Sequence, residues 1–265
     1  MTPISDKPTL TQRGRLVSSR GVVADQDWQI AAEVPVALML NSQAHAVMMA
    51  SPADLEDFGV GFVLSEGLAE LDGIRNVLAF PGEDGFTVDV ALAGQVLPRK
   101  RAMEGRSGCG LCGVEEIAQV LRPMGKVKRG FALNPLAVLA AFADLPELQP
   151  MNRSNHSVHG AAWVRPDGEV IMVREDVGRH NALDKLIGAL VRQKVDLAGG
   201  FVAMTSRLSF ELVQKAATIG IAYVASLSAP TSLALSLARE TGVGLAARAQ
   251  DGVWIFDEES DDHGT

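Results

Sequence analysis

Apolar and polar positions divide this 265-residue chain into two stretches with different rhythms. In the first, short apolar runs lie close together, and residues 29–41 and 45–50 read as two strands joined by the turn Asn41-Ser-Gln43. A helix is expected over 53–68, with Ser51 as its N-cap and Pro52 at the first helical position. Leu55, Phe58, Gly59, Phe62 and Val63 form its core-facing stripe. More strand follows near 77–80 and 86–92, then a helix over 134–142.

Beyond Asn152 strand and helix alternate. Strands over 161–164 and 169–173 flank the turn Arg165-Pro-Asp-Gly168, and a helix covers 180–191. Strand 200–204, helix 208–218, strand 221–226, helix 232–241 and strand 243–247 follow, with 253–256 closing the fold. This alternation predicts an α/β layer of parallel strands with crossover helices. The two prolines within 144–150 mark a domain join. The expected organisation is a flexible tail over 1–20, an N-terminal α+β domain over 21–150, an α/β domain over 151–256 and an acidic, disordered tail over 257–265.

Composition narrows the function. With 47% hydrophobic and 21% charged residues the chain is globular, which excludes disordered and fibrous classes. No apolar run is long enough for a transmembrane helix, and the polar first twenty residues lack a secretory signal, so a soluble cytoplasmic protein is expected. A net charge of −8, with few aromatic residues, argues against a nucleic-acid partner.

The only two cysteines, Cys109 and Cys112, stand in Arg106-Ser-Gly-Cys-Gly-Leu-Cys-Gly113. A disulfide, half of a zinc site and thiolate chemistry are the three readings of this pair. Gly108, Gly110 and Gly113 make both sulfurs reachable, and a helix expected over 114–121 places them before its N-terminus, which favours thiolate. Residues 99–129 hold eight basic and three acidic side chains, enough to lower a thiol pKa or attract an anion if they are not simply a solvated face. His156 and His159 would complete a Cys2His2 zinc set, but at unusual spacing. A zinc deaminase would need a Glu two residues after a ligand His, and Gly160-Ala161 stands there instead. No metal is therefore expected.

Three strand-to-helix turns carry the remaining chemistry: Glu175-Asp-Val-Gly-Arg-His180, Thr205-Ser-Arg207 and Ser228-Ala-Pro-Thr231. In an open α/β sheet they share the edge at the carboxyl ends of strands. Helix N-termini beside Arg179, His180, Ser206, Arg207, Ser228 and Thr231 suit a phosphate-bearing ligand; capping by Ser206, Ser228 and Asp176 is the plainer alternative.

These segments together resemble the FdhD/NarQ family of formate dehydrogenase accessory sulfurtransferases. The resemblance rests on Glu33-Val-Pro35, Ser51-Pro-Ala-Asp-Leu55, Gly59-Val-Gly-Phe62, Ser65-Glu-Gly67 and Gly108-Cys-Gly-Leu-Cys-Gly113. It continues through His159, Glu175-Asp-Val-Gly-Arg-His-Asn-Ala-Leu-Asp-Lys185, Ser206-Arg207 with Ser209 and Glu211, and Ser228-Ala-Pro-Thr231. It implies an α/β fold: a cytidine-deaminase-like C-terminal domain without the zinc site, joined to a smaller N-terminal α+β domain, in a homodimer. It also implies that a cysteine desulfurase loads Cys109 as a persulfide, with Cys112 assisting. The sulfur then passes to the molybdenum of a bis-molybdopterin guanine dinucleotide cofactor destined for the formate dehydrogenase catalytic subunit. By motif position, Ala247, Arg248, Ala249, Gln250, Asp251 and Gly252 correspond to the family's cofactor segment. The chain departs from the family pattern at Asn155-His-Ser157, and at Ala246-Ala247 and Asp251-Gly252 within and beside that segment. A cofactor chaperone without sulfur chemistry and a Cys-x-x-Cys oxidoreductase are the competing readings.

Overall fold

The computed structural model describes residues 5–19, 21–94 and 125–256. Cys109, Cys112, the helix expected over 114–121 and the tail expected over 257–265 lie outside the described residues.

The chain opens with an antiparallel ribbon of β1 (Thr9–Ser18) and β2 (Gly21–Ala31). Where a loose tail over 1–20 was expected, β1 is therefore a strand. Its register stacks Arg13 on Asp27 and Arg15 on Asp25, ion pairs of 3.3 and 3.2 Å, so polar side chains find cross-strand partners that apolar periodicity does not reveal. The strand expected over 29–41 is likewise divided at Ala32 and Glu33. There the chain leaves the ribbon for a four-stranded sheet of β3 (Val34–Leu40), β4 (Gln43–Ala50), β5 (Ile74–Pro81) and β6 (Phe86–Leu92), in the order β4-β3-β6-β5. Asn41 and Ser42, both at positive φ, make the tight β3–β4 turn.

Helix α1 (Leu55–Ser65) covers one face of this sheet, packing Phe58, Phe62 and Val63 on Val36, Leu38, Val88 and Val90. Ser51 is not its N-cap. The helix starts after Asp54, which is left-handed at φ 52°, while Ser51 is buried and its hydroxyl accepts from Val177 N at 3.2 Å. A tertiary contact from the other end of the chain has taken the capping oxygen.

The second sheet contains β7 (His159–Val164), β8 (Val170–Asp176), β9 (Phe201–Met204), β10 (Tyr223–Ser226), β11 (Gly244–Arg248) and β12 (Val253–Phe256). Its order is β12-β11-β10-β9-β7-β8. Only β9, β10 and β11 pair in parallel; β7 opposes both neighbours and β12 opposes β11, so the sheet is mixed rather than all-parallel. Because β7 opposes both β8 and β9, the carboxyl ends of β8, β9, β10 and β11 still reach one edge.

Helices α4 (Arg179–Arg192), α5 (Phe210–Thr218) and α6 (Ser232–Thr241) pack on one face of this sheet through Leu183, Ile187, Leu212, Val213 and Leu237. On the other face lies α2 (Pro135–Asp144), whose Val138, Ala141 and Phe142 meet Phe201, Ala203 and Ala225. Sequence periodicity grouped α2 with the N-terminal half, yet it packs on the C-terminal sheet. The expected join over 144–150 is a 3-10 turn, Leu145–Leu148, with Leu145 buried, and leads into the short helix α3 (Pro150–Asn155).

The two halves meet where α1 crosses α4. Gly61 lies against the Asp184 carbonyl and Gly188 against that of Asp57, so closely that an added Cβ would fall 1.7 and 1.9 Å from those oxygens. Beside this crossing Lys215 is fully desolvated and pairs with Asp184 and Glu66, each at 2.9 Å, while Ser65 donates to Asp184 at 2.6 Å. Burial pushes the Lys215 pKa down, but Asp184 and Glu66 outweigh it and the pKa is raised. The ammonium therefore stays charged and holds α1, α4 and α5 together. Among the described residues no helix is long and apolar enough to cross a membrane.

Candidate functional site

The three strand-to-helix turns do share one edge. Leu227 N donates to Met204 O and Thr231 N to Leu208 O, both at 3.0 Å, stitching the β9 and β10 turns together. Gly160 N, at the start of β7, donates to Thr205 Oγ1 at 2.8 Å, and His159 pairs in register with Asp176 of β8. His180 Nε2 lies 3.8 Å from Glu211 Oε2, which brings the first turns of α4 and α5 side by side.

Most of the Glu175–Lys185 motif is structural. Asp176 and Lys185 are both fully buried and paired at 2.6 Å. Asp176 also accepts from Gly178 N at 2.7 Å, Asn181 Nδ2 at 2.9 Å and Ser51 N at 2.9 Å, while Lys185 donates to Ser51 O at 2.9 Å. Asn181 reaches Met49 O at 2.8 Å. The motif thus fastens the β4–α1 connection to the β8–α4 turn. Glu175 accepts from Met151 N and Asn152 N at 2.9 and 2.8 Å at the start of α3; burial raises its pKa against those bonds.

Arg179 and His180 are different. Arg179 Nε and Nη2 are buried with no hydrogen-bond partner among the described residues, and His180 Nε2 has only the Glu211 carboxylate, at 3.8 Å. Ser209, at the N-cap of α5, is buried beside Glu211. Glu211 is held down to about 2, chiefly by the His180 ring, against the opposing effect of burial and with help from Ser209. His159 is also lowered, first by burial and then by the nearby Arg179 charge, with Asp176 acting the other way. Ser209 and Glu211 were not among the sequence-based contact candidates, although both stand in the first residues of α5.

The other candidates are more open. Arg207, Ser228 and Thr231 are exposed. Ser206 is buried and its hydroxyl is bound to the Arg207 carbonyl at 3.0 Å. The capping alternative fails for its three named residues, because the N-cap residues of α4, α5 and α6 are Gly178, Ser209 and Thr231; of these only Thr231 caps with its side chain, accepting from Ala234 N at 3.3 Å. Residues 247–252 form the β11–β12 turn, closed by Ala249 N to Gly252 O at 2.8 Å. Ala247 is buried there, whereas Arg248, Gln250 and Asp251 are exposed at the same sheet edge.

The described part of the basic 99–129 segment packs on the C-terminal sheet. Val127 N donates to Thr241 O at 2.7 Å and Arg129 Nε to Gly242 O at 2.9 Å, placing this stretch at the amino end of β11, opposite the candidate edge. Arg129 also stacks over the Tyr223 ring, 5.3 Å from its centroid. Among the described residues no group of three or more His, Cys, Asp or Glu side chains is arranged to hold a metal ion. Two grooves of about 330 and 510 Å³ open beside β8 and β5, and neither is lined by Arg179, His180 or Ser209.

The FdhD/NarQ family profile matches residues 31–258, a span that includes both sheets and the cysteine pair. The chain belongs to the FdhD/NarQ family. It is 45% identical over 256 residues to the sulfur carrier protein FdhD of Variovorax paradoxus strain S110, covering 92% of this chain and 91% of that one. To the sulfur carrier protein FdhD of Bordetella petrii it is 45% identical over 249 residues, covering 92% and 88%. A crystal structure described as a formate dehydrogenase accessory protein from Desulfotalea psychrophila superposes with a TM-score of 0.78 at 26% identity, covering 95% of this chain and 98% of that one. The α/β fold and its mixed sheets are thus those of an FdhD/NarQ family member.

Proposed function

We propose that this chain is a cytoplasmic sulfurtransferase that takes sulfur from a cysteine desulfurase and passes it to the molybdenum of a bis-molybdopterin guanine dinucleotide cofactor for formate dehydrogenase. The observation that carries this reading is the near-full-length identity to proteins named sulfur carriers, in a chain whose only cysteines are Cys109 and Cys112. In the same reading the C-terminal half is the cytidine-deaminase-like domain, and the working form is a homodimer.

The chemistry balances with the two thiols and an external dithiol reductant. The Cys109 thiolate attacks the outer sulfur of the desulfurase persulfide; a new S–S bond forms and the desulfurase thiolate leaves. For delivery as sulfide, the Cys112 thiolate attacks Cys109 Sγ, releasing hydrosulfide and leaving a Cys109–Cys112 disulfide, which a dithiol reductant reopens. The cofactor is the acceptor substrate. Arg207, Ser228, Thr231 and the turn Ala247-Arg-Ala-Gln-Asp-Gly252 are proposed to hold its phosphates along the sheet edge, with Arg179 and His180 at the inner end.

The direct test is complementation. Supplied to a host that lacks its own family member, this chain should restore formate dehydrogenase activity; a well-expressed chain that restores none contradicts the proposal. For the phosphate contacts, calorimetry with GDP should show affinity about tenfold weaker or worse in Arg207→Ala, as expected for a lost charge-assisted hydrogen bond. Unchanged affinity in both Arg207→Ala and Arg248→Ala would place the nucleotide elsewhere.

The zinc alternative predicts the reverse behaviour of the thiols. A carrier should purify with far less than one zinc per chain, react quickly with a thiol reagent and keep its thermal midpoint in a strong chelator. Stoichiometric zinc, with thiols protected until it is removed, would reject the carrier as drawn.

A further inference from the structure

Ser51 is fully buried in the β4–α1 connection, and it is bound to one short segment of the other half. Its N–H donates to Asp176 Oδ2 at 2.9 Å, its hydroxyl oxygen accepts from Val177 N at 3.2 Å, and its carbonyl accepts from Lys185 Nζ at 2.9 Å. Asp176 carries the hold one residue further, because its Oδ1 accepts from Gly178 N at 2.7 Å. Two successive N–H groups, those of Val177 and Gly178, are thus fixed immediately before Arg179.

Arg179 needs that support. Its Nε and Nη2 are buried without a hydrogen-bond partner among the described residues, so these nitrogens have no acceptor there to set their direction. The direction comes from the backbone beneath them. The N-cap of α4 is Gly178, which has no side chain to lock the first turn, so the hold comes from outside the helix. A charge-assisted or bidentate contact is strong only when the guanidinium is already aimed, which is the task of a supporting shell.

We propose that Ser51 is a positioning residue: through Val177 and Asp176 it sets the first turn of α4 so that Arg179 meets the phosphates of the ligand at the sheet edge. This assignment rests on the cofactor reading above.

A purely structural role could be filled by a bond anywhere between the halves. Ser65 makes such a bond, donating to Asp184 at 2.6 Å, but Asp184 lies in the second turn of α4. Losing either hydroxyl loosens the contact between α1 and α4. Only the loss at Ser51 frees Val177 N and with it the turn before Arg179.

Calorimetry with GDP on the full chain tests this. Ser51→Ala should bind GDP about tenfold more weakly than the wild type, while Ser65→Ala should bind as the wild type does. Arg179→Ala should itself weaken binding by about ten- to a hundredfold. Adding Ser51→Ala to Arg179→Ala should cost nothing further, because a residue that acts through Arg179 has no effect once Arg179 is gone. Amide hydrogen exchange gives a readout without ligand: Val177 and Gly178 should exchange faster in Ser51→Ala and at the wild-type rate in Ser65→Ala. If Ser51→Ala does not fold, Asn181→Ala takes its place, since Asn181 Nδ2 braces the same carboxylate at 2.9 Å and Met49 O at 2.8 Å. Wild-type GDP affinity in the clamp variant or in Arg179→Ala, an equal loss in Ser65→Ala, or a full further loss on the Arg179→Ala background would overturn the positioning role and leave the nucleotide site standing. A wild-type chain that binds no GDP would remove the cofactor reading and this role with it.

Discussion

Cys109→Ala is expected to abolish activation of formate dehydrogenase in the complementation assay, whereas Cys112→Ala should slow it without preventing sulfur from being loaded. The asymmetry follows from the order of the two steps. The first sulfur to attack the donor persulfide must be a reachable thiolate, and Cys109 has a glycine on either side, Gly108 and Gly110. Without it no S–S bond forms and nothing downstream can occur. Without Cys112 the persulfide still forms, but the internal electron pair that expels hydrosulfide is gone, so release depends on an outside thiol. Added dithiol should therefore rescue Cys112→Ala and not Cys109→Ala. Equal activity of Cys109→Ala and the wild type would show that the sulfur travels by another route.

Gly61→Ala and Gly188→Ala should each destabilise the protein by about 3 kcal/mol or more, near the upper end for overpacking. In both cases the new methyl meets backbone rather than a yielding side chain: an added Cβ at Gly61 lies 1.7 Å from the Asp184 carbonyl oxygen, and at Gly188 1.9 Å from that of Asp57. Relief requires α1 and α4 to separate, which pulls Ser65 and Glu66 from the Asp184–Lys215 pair and leaves buried charge less well compensated. Gly14→Ala, where nothing lies within 4 Å of the added carbon, is the control and should be close to neutral. Urea unfolding of the three variants decides this; midpoints for Gly61→Ala and Gly188→Ala equal to that of Gly14→Ala would mean the helices do not cross as described.

The second half of the chain was largely legible from sequence, because its strands are short apolar runs and its helices are amphipathic, both local signals. The shared edge followed from the alternation even though β7 and β12 run antiparallel, since reversing β7 leaves the strand-to-helix turns on the same side. What was not legible depends on distance along the chain. Ser51 has every local mark of an N-cap, yet Asp176 and Val177 claim its backbone N–H and hydroxyl. The Glu175–Lys185 motif looked like a ligand loop, but Asp176, Asn181 and Lys185 are used to join the two sheets. Ribbon strand β1 was hidden because its middle residues are polar and find partners such as Asp27 and Asp25 only across the strand pair, and α2 because apolar periodicity marks a buried face without saying which sheet buries it. The Glu211–His180 pair is 31 residues apart in sequence and became visible only when the two helix starts were brought together.

Mass spectrometry of the wild-type chain after incubation with a cysteine desulfurase and cysteine tests the central claim most directly. The account predicts a gain of one sulfur atom, removed by dithiol and mapped by peptide fragmentation to Cys109. A chain that gains no sulfur, or carries it on Cys112 with Cys109 unmodified, would contradict it.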